Sequence, residues 1–506
     1  MLLRKFNLQQ IIYFLLKIIF VVIAMTVLLI SLRYTSIVTM NTYEIPVISV
    51  NSLISYFIFI LAVIAFILFQ PILGKIDSKR LLFIAITLFF VIGLYLIYFS
   101  STFLRQSDPK NCIEIAQHLN YGDYSDFRKE NYLGWYPYQI YWISFLRPIL
   151  NLTSNIKFLY LLNIVYECII FILFYKITKL FTNKNAVLNN VILLSILFFP
   201  NLFNVLFVYG NIPGYMFFML GVYFLIKVLK GERVILLMIF NMLAAYLIKN
   251  NYLIGIIALF IVVLITNLTL KKKILIFIGV LGSLIIITTG VTTYYSKLTE
   301  SNFNVNGGIP KVAFVVMGLQ GYKNLKNGWY DGYTLSTYKN NNYSESKTKN
   351  QARKDLKRRL VELEKSPSRT FLFIKEKLIS TWADSTFQAL WIAPWKNKGN
   401  EHLKYFYSDG KNNLVRIISC VIIQIIVTCS ILNCFHKIRI MEYNDYFLMA
   451  MLFFIGGFLF HLVWETKSQY VWQYIETLIP VTGVELNNLF NIFNQWRKKY
   501  ANNSAG

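Results

Sequence analysis

The stretch IIYFLLKIIFVVIAMTVLLISL, from Ile11 to Leu32, is apolar almost throughout and contains one charged side chain, Lys17. A helix needs roughly 20 apolar residues to cross the hydrocarbon core of a bilayer, which is about 30 Å thick. The stretch is too long for the apolar part of a secretory signal, and no small-residue cleavage site follows it. We therefore expect a retained membrane-spanning helix.

Similar apolar runs recur along the chain. Of its 506 residues, 56% are hydrophobic and 15% are charged, whereas a soluble protein carries about 25% charged residues. The sequence predicts an all-α polytopic membrane protein with about twelve transmembrane helices. The predicted spans cover residues 11–32, 53–70, 81–99, 156–178, 186–208, 212–229, 233–249, 251–268, 273–294, 413–435, 444–462 and 470–490.

The distribution of Lys and Arg predicts the orientation of these spans. If the N-terminus is cytoplasmic, the short outer connections at 209–211 and 249–251 contain one basic residue, Lys249. Every inner connection is then basic, as the positive-inside rule requires. Both termini are then cytoplasmic, and segments 100–155 and 295–412 lie outside. The inner loops also account for much of the net charge of +26, so we do not expect nucleic acid as a partner.

This map divides the chain into four parts. Residues 1–80 form a two-span N-terminal addition, and residues 81–294 form a transmembrane core that includes the outer segment 100–155. Residues 295–412 form an extracytoplasmic loop or small, mostly helical subdomain. Residues 413–506 supply the last spans and a short basic cytoplasmic tail.

Local patterns predict some elements of the outer segments. YPYQIYWISFLRPIL, residues 136–150, is apolar but too short to span, so we expect an interfacial helix along the outer membrane face. In the later outer segment, two helices are expected to meet at Ser366, a cap, and Pro367. The second would present Phe371, Ile374, Leu378 and Ile379 on one apolar face. The tract YKNNNYSESK, residues 338–347, is expected to be a mobile loop.

Asp108 follows the third predicted span directly, in QSDPKN. Pro109 disfavours helical geometry at the residue before it, so the carboxylate is expected on a fixed corner at the membrane surface. One interpretation is a general base for an acceptor hydroxyl. The other is an N-cap for a helix from Pro109 to Leu119. Both roles are compatible, because a cap leaves the second carboxylate oxygen free.

Further candidate residues lie in the outer segment 100–155. Glu114 and Asp123 are acidic, and Tyr136 and Gln139 lie in YPYQ. Carboxylates accept hydrogen bonds from sugar hydroxyls, and aromatic faces cover the apolar face of a sugar. Interfacial aromatic residues are also ordinary membrane anchors, so both interpretations stay open.

Two outer turns complete the candidate site. Lys249 lies in YLIKNNYLIG, where its ammonium either binds a lipid-linked phosphate or reaches the headgroups. The turn WETKSQYVWQY contributes Glu465, Lys467 and Tyr470, which either face the same cavity or form a solvated turn.

Several kinds of site are not indicated by any motif. There is no phosphate-cradling glycine loop, metal-ligand cluster or nucleophile elbow, and the five cysteines form no CxxC pair. We therefore expect no disulfide framework and no cofactor, and we leave a divalent cation open. Without a nucleotide-binding motif, a donor that is already activated on the outer face fits best.

A resemblance to a known family is carried by an outer Asp after an early span, a following interfacial segment and a large late outer loop. The chain resembles the GT-C superfamily of integral-membrane glycosyltransferases, in its protein mannosyltransferase and aminoarabinose transferase branch. It is most similar there to Gram-positive membrane glycosyltransferases, including exosortase-associated ones. The resemblance covers about residues 81–490, on the motifs SDP (107–109), GDYSDF (122–127), YLGWYPYQ (132–139), YGNIPG (209–214), KNNYLI (249–254), IPKVAFVVMGLQG (309–321) and WADSTFQALW (382–391).

The resemblance implies an inverting enzyme of the cell membrane with an extracytoplasmic active site. The donor would be a polyprenyl-phosphate-linked sugar, and the acceptor a cell-envelope glycan, a teichoic acid or a protein. Asp108 matches the acidic residue expected to act as the base. Where the family often has an Arg-Tyr pair, this chain has Gln469-Tyr470, which leaves the phosphate to Lys467 or Lys249.

Other functions remain open. A polysaccharide polymerase or ligase would need Arg and His pairs, but no Arg lies in the middle of a predicted span. A transporter or flippase of lipid-linked sugars would place charges near mid-membrane, where Lys17, Glu167 and His461 are candidates. A structural or assembly protein is a fourth alternative.

Overall fold

The computed structural model describes residues 8–39, 44–102, 107–321, 327–392, 401–404, 406, 413–440 and 445–503. Helices dominate these residues, and the described sheet is one two-stranded hairpin. The N-terminal part contains α1 (Leu8–Arg33), β1 (Tyr34–Val38), β2 (Pro46–Val50), α2 (Leu53–Leu68), α3 (Gln70–Lys75) and α4 (Ser78–Phe99). The prediction of an all-α, membrane-type chain is confirmed, with the hairpin as an unexpected addition.

The hairpin is tied to the end of α1 by one side chain. Its antiparallel register pairs Tyr34 with Val50 and Val38 with Pro46. The Asn51 side-chain amide donates to the carbonyls of Ser31 and Leu32, each over 2.9 Å. A helix leaves its last carbonyls without intrahelical donors, so Asn51 both ends α1 and fixes the direction in which the hairpin leaves it.

The next part begins with α5 (Ser107–Asn120), α6 (Tyr132–Trp135), α7 (Ile140–Leu152) and α8 (Ile156–Lys179). α7 is the short helix expected in the segment 136–150. Ile140, Ile143 and Leu146 recur at helical spacing and are fully buried on one of its faces, and α7 packs against α5. Its position along a membrane surface stays a prediction.

The central bundle contains α9 (Asn185–Leu197), α10 (Pro200–Asn204), α11 (Asn211–Leu229), α12 (Ile235–Ile248), α13 (Leu253–Ile265) and α14 (Leu270–Leu298). The expected continuous span 186–208 is wrong, because the helix stops at Leu197. Phe198 leaves helical geometry with ψ of 75°. Pro200 has no N–H to donate to the preceding turn, so a new short helix starts there.

The remaining helices are α15 (Lys311–Leu319), α16 (Tyr333–Asn340), α17 (Glu345–Lys365), α18 (Pro367–Trp382), α19 (Ala389–Ile392), α20 (Glu401–Lys404), α21 (Leu414–Ile440), α22 (Asp445–Val463), α23 (Trp472–Glu476) and α24 (Ile479–Asn503). The segment from α15 to α20 is mostly helical, as predicted. α18 begins at Pro367 as predicted, although Ser366 makes no side-chain capping hydrogen bond.

One local prediction in this segment is wrong, and a second is only partly right. Residues 338–347 are not a loop, because they include the end of α16, a tight turn and the start of α17, where Ser344 accepts a hydrogen bond from the N–H of Lys347. On α18, Phe371 and Ile374 are exposed and Leu378 is half-buried, whereas Ile379 is buried together with Phe373 and Lys377. The buried face of α18 is partly polar, so apolar periodicity identified only part of it.

Within the described residues, eight helices are long and apolar enough to cross a membrane. They are Leu8–Arg33, Leu53–Lys75, Ser78–Phe99, Ile156–Lys179, Asn211–Leu229, Leu270–Leu298, Leu414–Phe435 and Asp445–Val463. α9, α12 and α13 are shorter apolar helices, and the predicted span 470–490 is divided between α23 and α24. The chain is therefore membrane-like, with eight candidate spans in the part that the structure describes, while the count of twelve and the cytoplasmic termini stay predictions.

The packing of the helices agrees with a lipid environment. α1 packs against α21 and α22, and Phe20 of α1 is fully buried between Phe447 and Phe454 of α22. By contrast, α2 buries none of its residues, and Leu53 and Phe57 are among its exposed apolar side chains. An apolar surface of this extent needs a nonaqueous neighbour, which a bilayer provides.

Candidate active site

Asp108 lies in the first turn of α5, which begins at Ser107. The expected corner outside the helix is therefore wrong, and so is the N-cap position. Pro109 is well tolerated there because the first N–H groups of a helix have no intrahelical acceptor. The positive end of the helix dipole lies at this turn and favours a carboxylate. Asp108 is thus held on a rigid element rather than on a loop.

The carboxylate of Asp108 meets Tyr209, from the segment between α10 and α11. The Tyr209 hydroxyl donates to Asp108 Oδ2 over 3.1 Å, and Gln139 Nε2 donates to the same hydroxyl over 2.6 Å. Burial raises the pKa of Tyr209, and the nearby Asp108 charge raises it further. The phenol therefore keeps its proton and remains a donor to the carboxylate.

Lys249 caps the end of α12 and covers the other side of Tyr209. Its Nζ atom lies 3.3 Å from the centroid of the Tyr209 ring and donates to the Tyr209 carbonyl over 3.3 Å. Burial lowers the pKa of Lys249 to about 7, against the opposing effects of Asp108, Cys112 and Glu465. We call Asp108, Gln139, Tyr209 and Lys249 the Asp108 cluster.

A glycine makes this approach possible. Gly210 has φ of 76°, a left-handed conformation that other residues rarely adopt, and it is the N-cap residue of α11. A β-carbon at this position would lie 2.8 Å from the Ile248 carbonyl. The motifs YGNIPG and KNNYLI therefore pack together, and their contact places Lys249 beside Tyr209.

The loop between α22 and α23, residues 464–471, brings further charges to the cluster. We call it the 465 loop. Glu465 and Lys467 are each 8% exposed, and both interact electrostatically with Asp108. Burial raises the pKa of Glu465 to about 7, with Lys467 acting in the opposite direction. Tyr470 is half-buried and also lies within electrostatic range of Asp108.

The structure adds one acidic residue that the sequence analysis missed. Glu44 lies between the two hairpin strands, in the part that was expected to be an N-terminal addition. Its carboxylate forms an ion pair with Lys467 and accepts a hydrogen bond of 3.0 Å from Gln388 Nε2. Gln388 in turn accepts from the backbone N–H of Gln469. The hairpin therefore supplies a charge next to the 465 loop.

Aromatic residues border this charged region, as the sequence analysis expected for Tyr136. Tyr136 and Tyr138 are half-buried, and Tyr330 is 41% exposed. All three interact electrostatically with Asp108, and burial raises the pKa of each phenol. The partial exposure of these rings and of Asp108 leaves the cluster accessible from outside the protein.

Glu114 and Asp123 are not brought to the cluster. Glu114 faces Lys110 one helical turn away, at 3.6 Å, with nearly half of its side chain exposed. Asp123 is exposed and accepts a hydrogen bond of 2.8 Å from the N–H of Ser125, which lowers its pKa. Both acids are near His118 rather than Asp108. A role for them in binding substrate stays a prediction.

The region around Asp108 contains charges of both signs. Lys467 is already paired with Glu44, so Lys249 is the cation whose charge a bound phosphate would compensate. Within the described ranges, no group of three or more His, Cys, Asp or Glu side chains is arranged to hold a metal ion. The question of a divalent cation therefore stays open. The five cysteines are free.

No protein-family model matches the chain, and no curated protein matches it. The function of the Asp108 cluster is therefore inferred from its own chemistry.

We predict that Glu44→Gln will lower the stability of the 465 loop. The substitution removes the partner of Lys467, whose side chain is 10% exposed, so the loss should reach roughly 1–2 kcal/mol of folding free energy. Thermal unfolding in detergent and proteolysis at the loop would measure it. Glu362→Gln removes an exposed ion pair with Arg359 and is the matched control. Equal effects of the two substitutions would show that Glu44 has no special structural role.

Proposed function

We propose that this protein is an inverting membrane glycosyltransferase that uses a polyprenyl-phosphate-linked sugar. One observation carries the proposal. The carboxylate of Asp108 and the ammonium of Lys249 approach the same side chain, Tyr209, in a region reached from outside the protein. A base for an acceptor hydroxyl and a cation for a phosphate are thus held against one side chain, the base at its hydroxyl and the cation at its ring.

The proposed reaction is a single displacement. The acceptor oxygen attacks the anomeric carbon, and the bond between that carbon and the phosphate oxygen breaks with its electron pair going to the phosphate. The acceptor proton passes to Asp108. Tyr209 already donates to Oδ2, so the second oxygen, Oδ1, is the one we assign to take the proton. The products are the inverted glycoside and the lipid phosphate.

Lys249 suits the departing phosphate better than Lys467 does. Lys467 is paired with Glu44, whereas the recorded partners of Lys249 are a carbonyl and an aromatic ring. Because charge develops on the phosphate as the bond breaks, a cation aimed at it acts mainly in the transition state. Lys467 and Glu465 then shape the neighbouring surface. Gln469 and Tyr470 replace the Arg-Tyr pair expected from the resemblance without adding a charge.

The acceptor and the location belong to the same proposal. A cell-envelope glycan, a teichoic acid or a protein would supply the attacking hydroxyl. The protein would lie in the cell membrane with the Asp108 cluster on the extracytoplasmic side, where lipid-linked sugars are presented after translocation. The basic inner loops support this orientation.

The direct test uses purified protein in liposomes with a panel of radiolabelled polyprenyl-phosphate sugars. Transfer of label to an added envelope extract, together with release of lipid phosphate, supports the proposal. Movement of labelled lipid across the bilayer without any product would favour the flippase alternative. Neither transfer nor release with any member of the panel would contradict the proposed enzyme.

We predict that kcat/KM for the donor will fall as the pH rises through about 7. The free protein loses the Lys249 charge in this range, since burial lowers its pKa to about 7. The phosphodiester of the donor keeps its charge across the same range. Glu465 also becomes ionised there and adds negative charge, which weakens donor binding in the same direction. Initial rates from pH 5.5 to 9 would measure the profile.

Variants of Lys249 separate the two contributions. Lys249→Arg keeps its charge throughout and should move the fall to higher pH, whereas Lys249→Met should lower kcat/KM at every pH. Lys339→Arg, a substitution of an exposed lysine near Trp135, should leave the wild-type profile unchanged. An unaltered profile in Lys249→Arg would exclude Lys249 as the titrating phosphate ligand.

A further inference from the structure

Two glutamates lie deep in the helix bundle, away from the Asp108 cluster. Glu167 is on α8, Glu476 ends α23, and both are fully buried. They lie within electrostatic range of each other. Within the described residues, no ion pair is recorded for either one. Two neighbouring carboxylates without a compensating cation are costly in such a place, and ionisable residues inside a bundle often mark a functional site.

The surroundings of this acid pair include non-helical backbone. The segment between α10 and α11 is not helical, and Asn163 donates to its carbonyls at Val205 and Phe207 over 3.0 and 3.2 Å. Asn163 precedes Glu167 by about one helical turn, so the same face of α8 carries both. Irregular backbone in a membrane bundle is tolerated where it lines a polar site.

A buried amide points into the same site. Asn201, on α10, is fully buried and donates to Glu476 Oε1 over 2.6 Å. Its own Oδ1 atom accepts no hydrogen bond in the described structure, and the same is true of Glu476 Oε2 and both carboxylate oxygens of Glu167. Four oxygens without donors are therefore held on three different helices.

We propose that Glu167, Glu476 and Asn201 bind a single cation in the interior of the bundle. Carboxylate and amide oxygens are hard ligands, which prefer hard cations such as Na⁺, Ca²⁺ or Mg²⁺. The cation would offset the negative charge and join α8, α10 and α23. Because α23 follows the 465 loop directly, it would also fix the helix on which that loop depends. This inference does not rest on the proposed glycosyl transfer.

The test is thermal unfolding of the purified protein in detergent. Midpoints are compared in choline chloride and in the chlorides of sodium, potassium, magnesium and calcium, at equal ionic strength. A cation that binds only the folded state raises the midpoint, and we expect a rise of at least about 3 °C with one of the metal ions. Equal midpoints in all five salts would overturn the proposal and leave a protonated acid pair as the explanation.

Substitutions test whether the cation that raises the unfolding midpoint binds at Glu167 and Glu476. Glu167→Gln and Glu476→Gln should each abolish the dependence on the cation. Glu485→Gln is the matched control, because Glu485 is a fully buried glutamate that accepts hydrogen bonds from Asn433 and Asn488 elsewhere in the bundle. If Glu485→Gln also removes the dependence, or if Glu167→Gln keeps it, the assigned site is wrong. Should one of the two Gln variants fail to fold, the other still tests the site, and equal midpoints of the wild-type protein would still overturn the proposal.

Discussion

Asp108→Asn is expected to lower the rate of sugar transfer by about 10²–10⁴-fold, the usual contribution of a general base. Asparagine has nearly the same shape, and its amide oxygen can still accept from Tyr209, so the cluster should stay assembled. The amide cannot take the proton of the acceptor hydroxyl. Single-turnover transfer with saturating donor would measure the loss without interference from product release.

The control for this substitution lies in the same outer segment. Asp126→Asn removes a carboxylate that accepts from His118 over 2.8 Å, away from the cluster. It should leave the transfer rate within about threefold of the wild-type rate, since such substitutions away from a site change little. Wild-type activity in Asp108→Asn, with unchanged expression and melting temperature, would eliminate Asp108 as the base.

The cost of placing a charge near a membrane explains why Asp108 and Lys249 could be chosen as candidate site residues from the sequence. A charge beside an apolar run is costly unless water or a counter-charge meets it, so such residues stand out. Tyr209 does not stand out in the same way, because the chain has 34 tyrosines. Only the two glycines of YGNIPG indicate that its backbone comes close to another helix. The hydrogen bond from Tyr209 to Asp108 depends on tertiary packing that no local pattern encodes.

The sequence contains a feature that could have identified Glu44 as a candidate residue. It is the only acidic residue before Asp77, and it lies in an outer connection of the predicted map. The hairpin around it was missed because apolar content dominates both neighbouring helices. The strands YTSIV and PVISV are rich in β-branched residues, which favour strands over helices. The first eighty residues are thus not merely an appendage, since they place a charge beside the 465 loop.

Boundaries within the bundle were harder to predict than the existence of helices. A hydropathy profile shows only how long and how apolar a segment is. It therefore does not show that the helix ends where Phe198 and Pro200 interrupt the apolar run. The same interruption creates the polar site around Asn201. Non-helical backbone in a bilayer must have its polar groups satisfied by neighbours, and Asn163 does so for the carbonyls of Val205 and Phe207, which follow α10. The prediction of a continuous span at 186–208 is thus wrong at the place where the bundle becomes polar.

Lys377→Met is expected to destabilise the protein by about 3 kcal/mol. The Lys377 side chain is 1% exposed, and its ammonium donates to the carbonyls of Gly318, Leu462 and Trp464 over 2.5, 3.0 and 2.8 Å. Methionine fills similar space but donates nothing. Each buried carbonyl left without a donor costs roughly 1–3 kcal/mol, partly offset because the buried charge is also removed. Thermal unfolding in detergent would measure the change.

The effect should be localised at the 465 loop and should depend on pH. The N–H of Thr466 donates to the Gly328 carbonyl over 2.9 Å, and its hydrogen exchange should accelerate in the variant.

Burial lowers the pKa of Lys377 to about 7 from 10.5, so the unfolded chain binds more protons between these values. Wild-type stability should therefore rise with pH across that window relative to Lys377→Met. Lys357→Met, at an exposed position on α17, should change neither quantity. If Lys377→Met behaved like this control, the three carbonyl contacts would not hold the loop, and the placement of Glu465 and Lys467 near Asp108 would need another cause.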